Sequence, residues 1–325
     1  MIRPFDLRDI PLVRRLAGHG VALDSRAALT ETHRPLRDAM LAYLIAGRGA
    51  PTFVLRLRQP DVALHAFGQL RMCPGRHQAQ LVTQAVLPGG HEPLVWPRML
   101  DALTAEAGRC GAHAVLAEIS DTGPAFEALR QADFVVYTRQ EIWRLKSPVG
   151  KPAEEWLRPE RPDDRWHVRQ LIANTVPRLI QEVEAADPTG LGLVWAGKAG
   201  LLAYAHIHRG PRGYWMQLYL HPQAEDAARS LIEQTIARFP PTTGTAFYCC
   251  VRRHQEWLTR PLIELGFEPL GSQAVMVRHT TVREAHSRRQ LVPAREKGLE
   301  ATLPVSQARS LQPRERKDLA NPNNG

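Results

Sequence analysis

The stretch "IRPFDLRDIPLVRRL", residues 2–16, is written again as "LRPERPDDRWHVRQL", residues 157–171. At a constant offset of 155, six of fifteen positions are identical: Arg3 with Arg158, Pro4 with Pro159, Asp9 with Asp164, Val13 with Val168, Arg14 with Arg169 and Leu16 with Leu171. Chance gives about one such match, so an internal repeat organises the reading of the whole chain.

What surrounds the two lines follows the same order. After the first come helical patterns with Ile10, Val13, Leu16 and Ala17 on one face, then Met40, Leu41, Leu44 and Ile45 on another, the second opening at Pro35. The period then changes to two in "TFVLRLR", "VALHAFGQLRM" and "QLVTQAVL", a three-strand meander. A helix carrying Val95, Met99, Leu103 and Ala107 leads to the buried strand "AVLAEI", the short helix "PAFEALRQADF" and "FVVYTRQEIWRL", read as two closing strands. The second half repeats this with the helical "DDRWHVRQLIANTVPRLIQEVEA", a meander from "GLGLVWAG" to "MQLYL", a helix with Leu231, Ile232 and Ile236, the strand "TAFYCCVR", a helix ending in "PLIELGF", and "EPLGSQAVMVRH". Phe134 and Phe267 stand at the same place in the two halves.

A chain of 325 residues with 44% apolar content fills two such units. The expected division is residues 1–146, a Pro- and Gly-containing linker at 147–154, residues 155–280, and a tail at 281–325. The tail holds nine Lys or Arg against five Asp or Glu, so part of the net charge of +9 belongs to it. Without apolar periodicity, and with four prolines, it is expected to be a disordered basic extension. Its mixed signs and few aromatics argue against a nucleic-acid partner.

No run of about 18 apolar residues marks a membrane span, and "MIRPFDLRD" opens without a signal-peptide core, so a cytoplasmic protein is expected. Cys73, Cys110, Cys249 and Cys250 lack metal-type spacing and read as reduced thiols. His206 and His208 share one strand face but bring no third ligand, so no metal is expected. The triplet "DTG", residues 121–123, follows a strand and is expected to cap a helix, not to serve as a protease motif. The aromatics Trp195, Trp215, Trp257, Tyr204 and Tyr214 read as core.

The order of elements, the opening "IRPFDLRDIPLVRRL", the step from "QAVLP" to "MLDALTAEAGRCGA", and in the second half "AGKAGLLAYAHI", "LYLHP" and "LIELGFEPLG" together resemble the GNAT family of acyl-CoA-dependent N-acyltransferases. The resemblance spans residues 1–280 and implies an α/β (α+β) chain of two tandem GNAT-like folds, each a mixed, mostly antiparallel sheet flanked by helices. It also implies acetyl-CoA as acyl donor and a small-molecule or peptide amine as acceptor, with no membrane partner. In such folds the fourth strand splays from the fifth, pantetheine lies between them, and the pyrophosphate sits on amides at the next helix start.

On that pattern the cofactor residues of the first half are the backbone of Ala85, Val86 and Leu87 and the loop residues Gly89, Gly90 and His91, although Pro93 and Pro97 each remove an amide. The second half has a shorter loop without glycine, and Glu225 and Asp226 stand near the helix start, where they would repel a phosphate. It is therefore expected not to bind. Leu129 and Leu262 occupy the places where many members carry an acidic Tyr, and neither donates a proton. Glu118, at the end of "AVLAEI", is the candidate general base. Two functions follow: acetyl transfer by the first half, or a catalytically inactive GNAT-like scaffold that binds a small molecule or protein partner.

Overall fold

The computed structural model describes residues 2–45, 49–58, 63–73, 77–87, 92–146, 155–181, 190–198, 200–241 and 244–280. The expected linker at 147–154 and tail at 281–325 lie outside them. The first half runs β1 (Ile2–Pro4), α1 (Ile10–Leu16), β2 (Gly20–Ala22), α2 (Ser25–Thr30), α3 (Pro35–Leu44), β3 (Thr52–Arg58), β4 (Ala63–Met72), β5 (Gln78–Val86), α4 (Glu92–Arg109), β6 (Ala114–Ser120), α5 (Pro124–Gln131) and β7 (Val135–Leu145). The second runs β8 (Arg158–Pro159), α6 (Asp164–Thr175), α7 (Arg178–Gln181), β9 (Leu191–Ala196), β10 (Leu201–Gly210), β11 (Gly213–Leu220), α8 (Ala228–Arg238), β12 (Ala246–Arg252), α9 (Thr259–Glu264) and β13 (Glu268–His279).

The repeated line of sequence folds into the same clamp twice. Arg3 donates to both carboxylate oxygens of Asp9 at 2.7 and 2.8 Å, and Arg158 does so to Asp164 at 2.6 and 2.8 Å. In each copy the aspartate also accepts a backbone N–H three residues upstream, from Asp6 and from Arg161. Two of the six identical pairs, Arg3 with Arg158 and Asp9 with Asp164, therefore tie the opening strand to its first helix, with bidentate geometry holding the turn.

The strands form one sheet in the order β1-β3-β4-β5-β6-β13-β7-β12-β11-β10-β9-β8, with β2 attached to β5. That order is a palindrome in fold terms, because each half supplies its last strand to the other. β13 lies antiparallel between β6 and β7, and β7 lies antiparallel between β13 and β12. The expectation that "FVVYTRQEIWRL" makes two strands is corrected here: it is the single strand β7, and the neighbour a local hairpin would have given arrives from the other end of the chain. Strand periodicity reports the faces of a strand but not its partner.

Helices cross over as well. On one sheet face α4 and α5 pack with Val115, Ala117 and Ile119 of β6 and with Ala274 and Met276 of β13, while α8 and α9 pack with Phe247, Cys249 and Val251. On the opposite face Val168 and Leu171 of α6 and Ile180 of α7 lie with Ala114, Leu116, Val275 and Val277, and Leu29 of α2 lies with Trp215, Tyr248 and Cys250. Each half thus covers part of the other's sheet, and fully burying each of the Val, Leu, Ile, Met and Phe side chains among these contributes about 2 kcal/mol.

Two further expectations change in detail. The long helical run after Asp164 breaks at Val176-Pro177 into α6 and α7, since proline removes an amide and disfavours helix in the residue before it. At "DTG" the residue before α5 is Gly123, at φ 104°, with no side-chain cap; Asp121 instead accepts from Ser272 at 3.2 Å. Among the described residues no helix is long and apolar enough to cross a membrane.

Candidate functional site

β5 and β6 run parallel over Gln78–Gln80 and Ala114–Leu116, and no further pairs join them. The gap beyond is entered by a segment that the sequence reading left unassigned. Gly20, Val21 and Ala22 of β2 pair with Ala85, Gln84 and Thr83 of β5. Leu23 continues the bridge: its N–H donates to Val82 at 2.9 Å, and its carbonyl accepts from the Glu118 N–H at 2.9 Å and from Gln80 Nε2 at 2.7 Å. Three residues are too few to show a strand period, so β2 had no sequence signal beyond Gly20 itself.

Beside β2 lies a cavity of about 560 Å3, lined by His19, Val21, Val86, Trp96, Ala125 and Ala128 among others. It sits where the end of β5, the first turns of α4 and the helix α5 converge. Of the expected cofactor residues, Val86 lines this cavity, Ala85 is paired with both Gly20 and Phe67, and the Leu87 N–H donates to the His65 carbonyl at 2.9 Å. Gly89, Gly90 and His91 lie outside the described residues.

The second half has the same splay with different contents. β11 and β12 pair over Gly213–Met216 and Ala246–Cys249, and beyond them the buried Gln255 donates to the Leu218 carbonyl at 2.6 Å. Glu225 and Asp226 are exposed in a 3-10 turn, Pro222–Ala227, just ahead of α8. They do not cap that helix: its capping position is Ala227, without a side-chain bond, and the cap of the turn is His221, which accepts from the Gln223 N–H. Leu129 and Leu262 are fully buried.

Glu118 is half-buried on the sheet face away from α4 and α5, and its Oε2 accepts the Ser25 N–H at 3.0 Å. Burial raises the pKa of the carboxyl above the ordinary glutamate range; Arg252 opposes the rise, Asp24 adds to it, and the Ser25 hydrogen bond lowers it. A carboxylate in such a setting is a better proton acceptor than one on the surface. In the second half the place of Glu118 is taken by Cys250, because Ser120 pairs with Gln273 as Arg252 pairs with Gln140, and each of these strands is read two residues back. The candidate base thus exists in one half only.

At the end of α2, Glu31, the residue that follows it, lies 3.4 Å from Arg71 and 3.6 Å from His208, and the Arg212 N–H donates to the Thr30 carbonyl at 2.9 Å. The β10–β11 hairpin of the second half therefore holds the end of the segment whose beginning enters the first half's splay.

No protein-family model and no curated protein matches the chain. Solved structures do. A GCN5-related N-acetyltransferase from Sphaerobacter thermophilus aligns over 87% of this chain and 96% of its own at 12% identity, with a TM-score of 0.53. A tandem GNAT protein from the clavulanic acid biosynthesis pathway aligns over 87% and 99% at 14% identity and a TM-score of 0.48. A GCN5-related N-acetyltransferase from Kribbella flavida aligns over 71% and 91% at 14% identity and 0.46. The first of these carries the conclusion that the chain has the GNAT fold.

Proposed function

We propose that the chain is an N-acyltransferase that accepts acetyl-CoA at the cavity of its first half and delivers the acetyl group to a small-molecule or peptide amine. The observation that supports this reading above the others is the cavity bounded by Val21, Val86, Trp96, Ala125 and Ala128. It stands at a strand splay and a helix start, where the fold supports a thioester arm and its phosphates. The second half, with Gln255 in its splay and carboxylates ahead of α8, is the partner that does not bind.

The described residues fit the donor in polarity: an apolar lining that includes Val86 suits a thioester arm, and Gly89, Gly90 and His91, outside the described residues, are the candidates that the sequence offers for its phosphates. A bound thioester supplies an activated acyl carbonyl. The chain's own part is to exclude water with Val86 and Trp96, to hold the amine from the α2 side of the sheet, and to take its proton at Glu118. With Leu129 unable to donate a proton, positioning carries most of the rate.

A second reading is a scaffold that binds ligand without turnover, and one observation favours it: β2 pairs with the β5 edge at Thr83–Ala85 and so occupies part of the splay. The two are separated by measuring free CoA released from acetyl-CoA across a panel of amines. The transferase reading predicts amine-dependent release, lowered about 100-fold or more by Glu118→Gln. Binding of acetyl-CoA without release from any amine would favour the scaffold.

A further inference from the structure

The first half's candidate base is tied to the second half by an unbroken chain of polar contacts. The Ser25 N–H holds Glu118, and the Ser25 hydroxyl donates to Gln273 Oε1 at 2.6 Å. Gln140 Nε2 donates to that same Gln273 oxygen at 3.0 Å, and Arg252 Nη1 donates to Gln140 Oε1. Gln273 comes from β13 and Arg252 from β12, both supplied by the second half. Gln140 and Arg252 are almost wholly buried, and burying an Arg demands compensation from its surroundings. The network ends on Glu118, whose own backbone N–H donates to Leu23 inside the splay.

We infer that the second half completes the acid-base site of the first: Gln273 and Arg252 are positioning residues that fix Ser25 and set the charge environment of Glu118. The inference rests on Glu118 serving as the base of the proposed transfer. It gives the second half a task although its own splay is filled, and it accounts for the exchange of last strands, since β13 is the element that brings Gln273 next to Ser25. The charged groups facing Glu118 are Asp24 at the start of α2 and Arg252 from β12, with Arg71 on β4 lying 3.8 Å behind Asp24. Asp24 raises the carboxyl's proton affinity and Arg252 lowers it, so loss of Arg252 moves the base to higher pH.

The test combines two readouts on the full chain: a 13C carboxyl NMR titration of Glu118, assigned with Glu118→Gln, and the pH profile of kcat/KM for acetyl transfer. Arg252→Gln is expected to raise the Glu118 midpoint and the acidic limb of the profile together, by about one pH unit or more. Arg252→Lys, which keeps the charge, is expected to hold both near the wild-type values. Ser25→Ala cuts the link to Gln273 without touching either strand and is expected to shift both readouts upward by a smaller amount; Gln273→Ala cuts it from the other side, frees the Ser25 hydroxyl to donate to Glu118, and is expected to shift both downward. Unmoved midpoints in the folded Ser25→Ala, Gln273→Ala and Arg252→Gln proteins would overturn the inference, even if their rates fall. Shifted midpoints in a protein that transfers no acetyl group would uphold the coupling and overturn the transferase reading instead.

Discussion

Gln140 and Gln273 are register partners on adjacent antiparallel strands, and the amide of the first donates to the carbonyl oxygen of the second at 3.0 Å. Each is the sixth residue after the phenylalanine that closes its helix, Phe134 and Phe267. They are therefore the same position of the repeat, meeting itself at the centre of the sheet. Gln140 Oε1 also accepts from Arg252 and, at 3.3 Å, from Cys250 Sγ. Gln140→Leu leaves a buried guanidinium short of an acceptor and is expected to lower the unfolding free energy by about 2 to 3 kcal/mol, read from urea denaturation. A loss below about 0.5 kcal/mol would show that the network is dispensable to folding.

The two helix ends before these strands differ in one instructive residue. Asp133 adopts φ 59° where the second half has Gly266 at φ 81°, and in both the following phenylalanine N–H returns to a leucine carbonyl, Leu129 or Leu262. A side chain in the left-handed region costs about 1 kcal/mol that glycine avoids. Asp133→Gly is expected to stabilise the protein by about 0.5 to 1 kcal/mol, and Gly266→Asp to destabilise it by a similar amount, in paired thermal melts.

The clamp of the second half gives stability a pH dependence. Arg158 first, and then the Arg161 N–H, hold the Asp164 carboxyl at about 2 against the usual 3.8. A lowered folded-state pKa stabilises above the unfolded value, so the contribution is complete above about pH 4 and is lost as the pH falls toward 2. Because Arg158 is about a third exposed, solvent screening reduces the benefit to about 1 kcal/mol. Asp164→Asn should remove this portion of the acid dependence between pH 4 and 2, measured by urea unfolding at each pH; an unchanged slope would mean that the clamp is screened out.

How far the sequence foretold this molecule depends on the range of the interaction. The offset of 155 was legible because Arg3, Asp9 and their copies make contacts within seven residues, and local geometry leaves local signatures. The helix ends at Phe134 and Phe267 were legible for the same reason. The exchange of β7 and β13 was not, because an alternating strand looks the same whichever strand it joins. Glu118 stood out as a carboxylate in an apolar run, yet nothing near it in sequence announced Ser25, Arg252 or Gln273. The glutamines in "YTRQEI" and "GSQAVMV" were the available hint: a polar residue inside a buried strand requires a partner, and each was the other's.

The position of β13 predicts where the chain is allowed to end. It lies between β6 and β7, and Thr280 adds a backbone bond to His113 at 3.0 Å. Truncation immediately after Thr280 is expected to leave the melting temperature within about 2 °C, whereas truncation after Gly266 removes the strand that joins the halves and is expected to abolish cooperative unfolding. Scanning calorimetry of the two truncated chains makes the comparison. A cooperative transition in the shorter chain would contradict the assigned strand order.

Donor binding at the first half's cavity is measured by isothermal titration of the full chain with acetyl-CoA, repeated on Ala125→Trp and on the double variant Glu225→Ala, Asp226→Ala. Ala125 lines the cavity without being fully buried, so a larger ring there fills the space with little cost to the core. One acetyl-CoA per chain is expected, with an affinity lowered at least about tenfold by Ala125→Trp and little changed in the double variant. Failure of the wild-type protein to bind acetyl-CoA, or binding that is lost in the double variant and retained in Ala125→Trp, would contradict donor binding at this cavity.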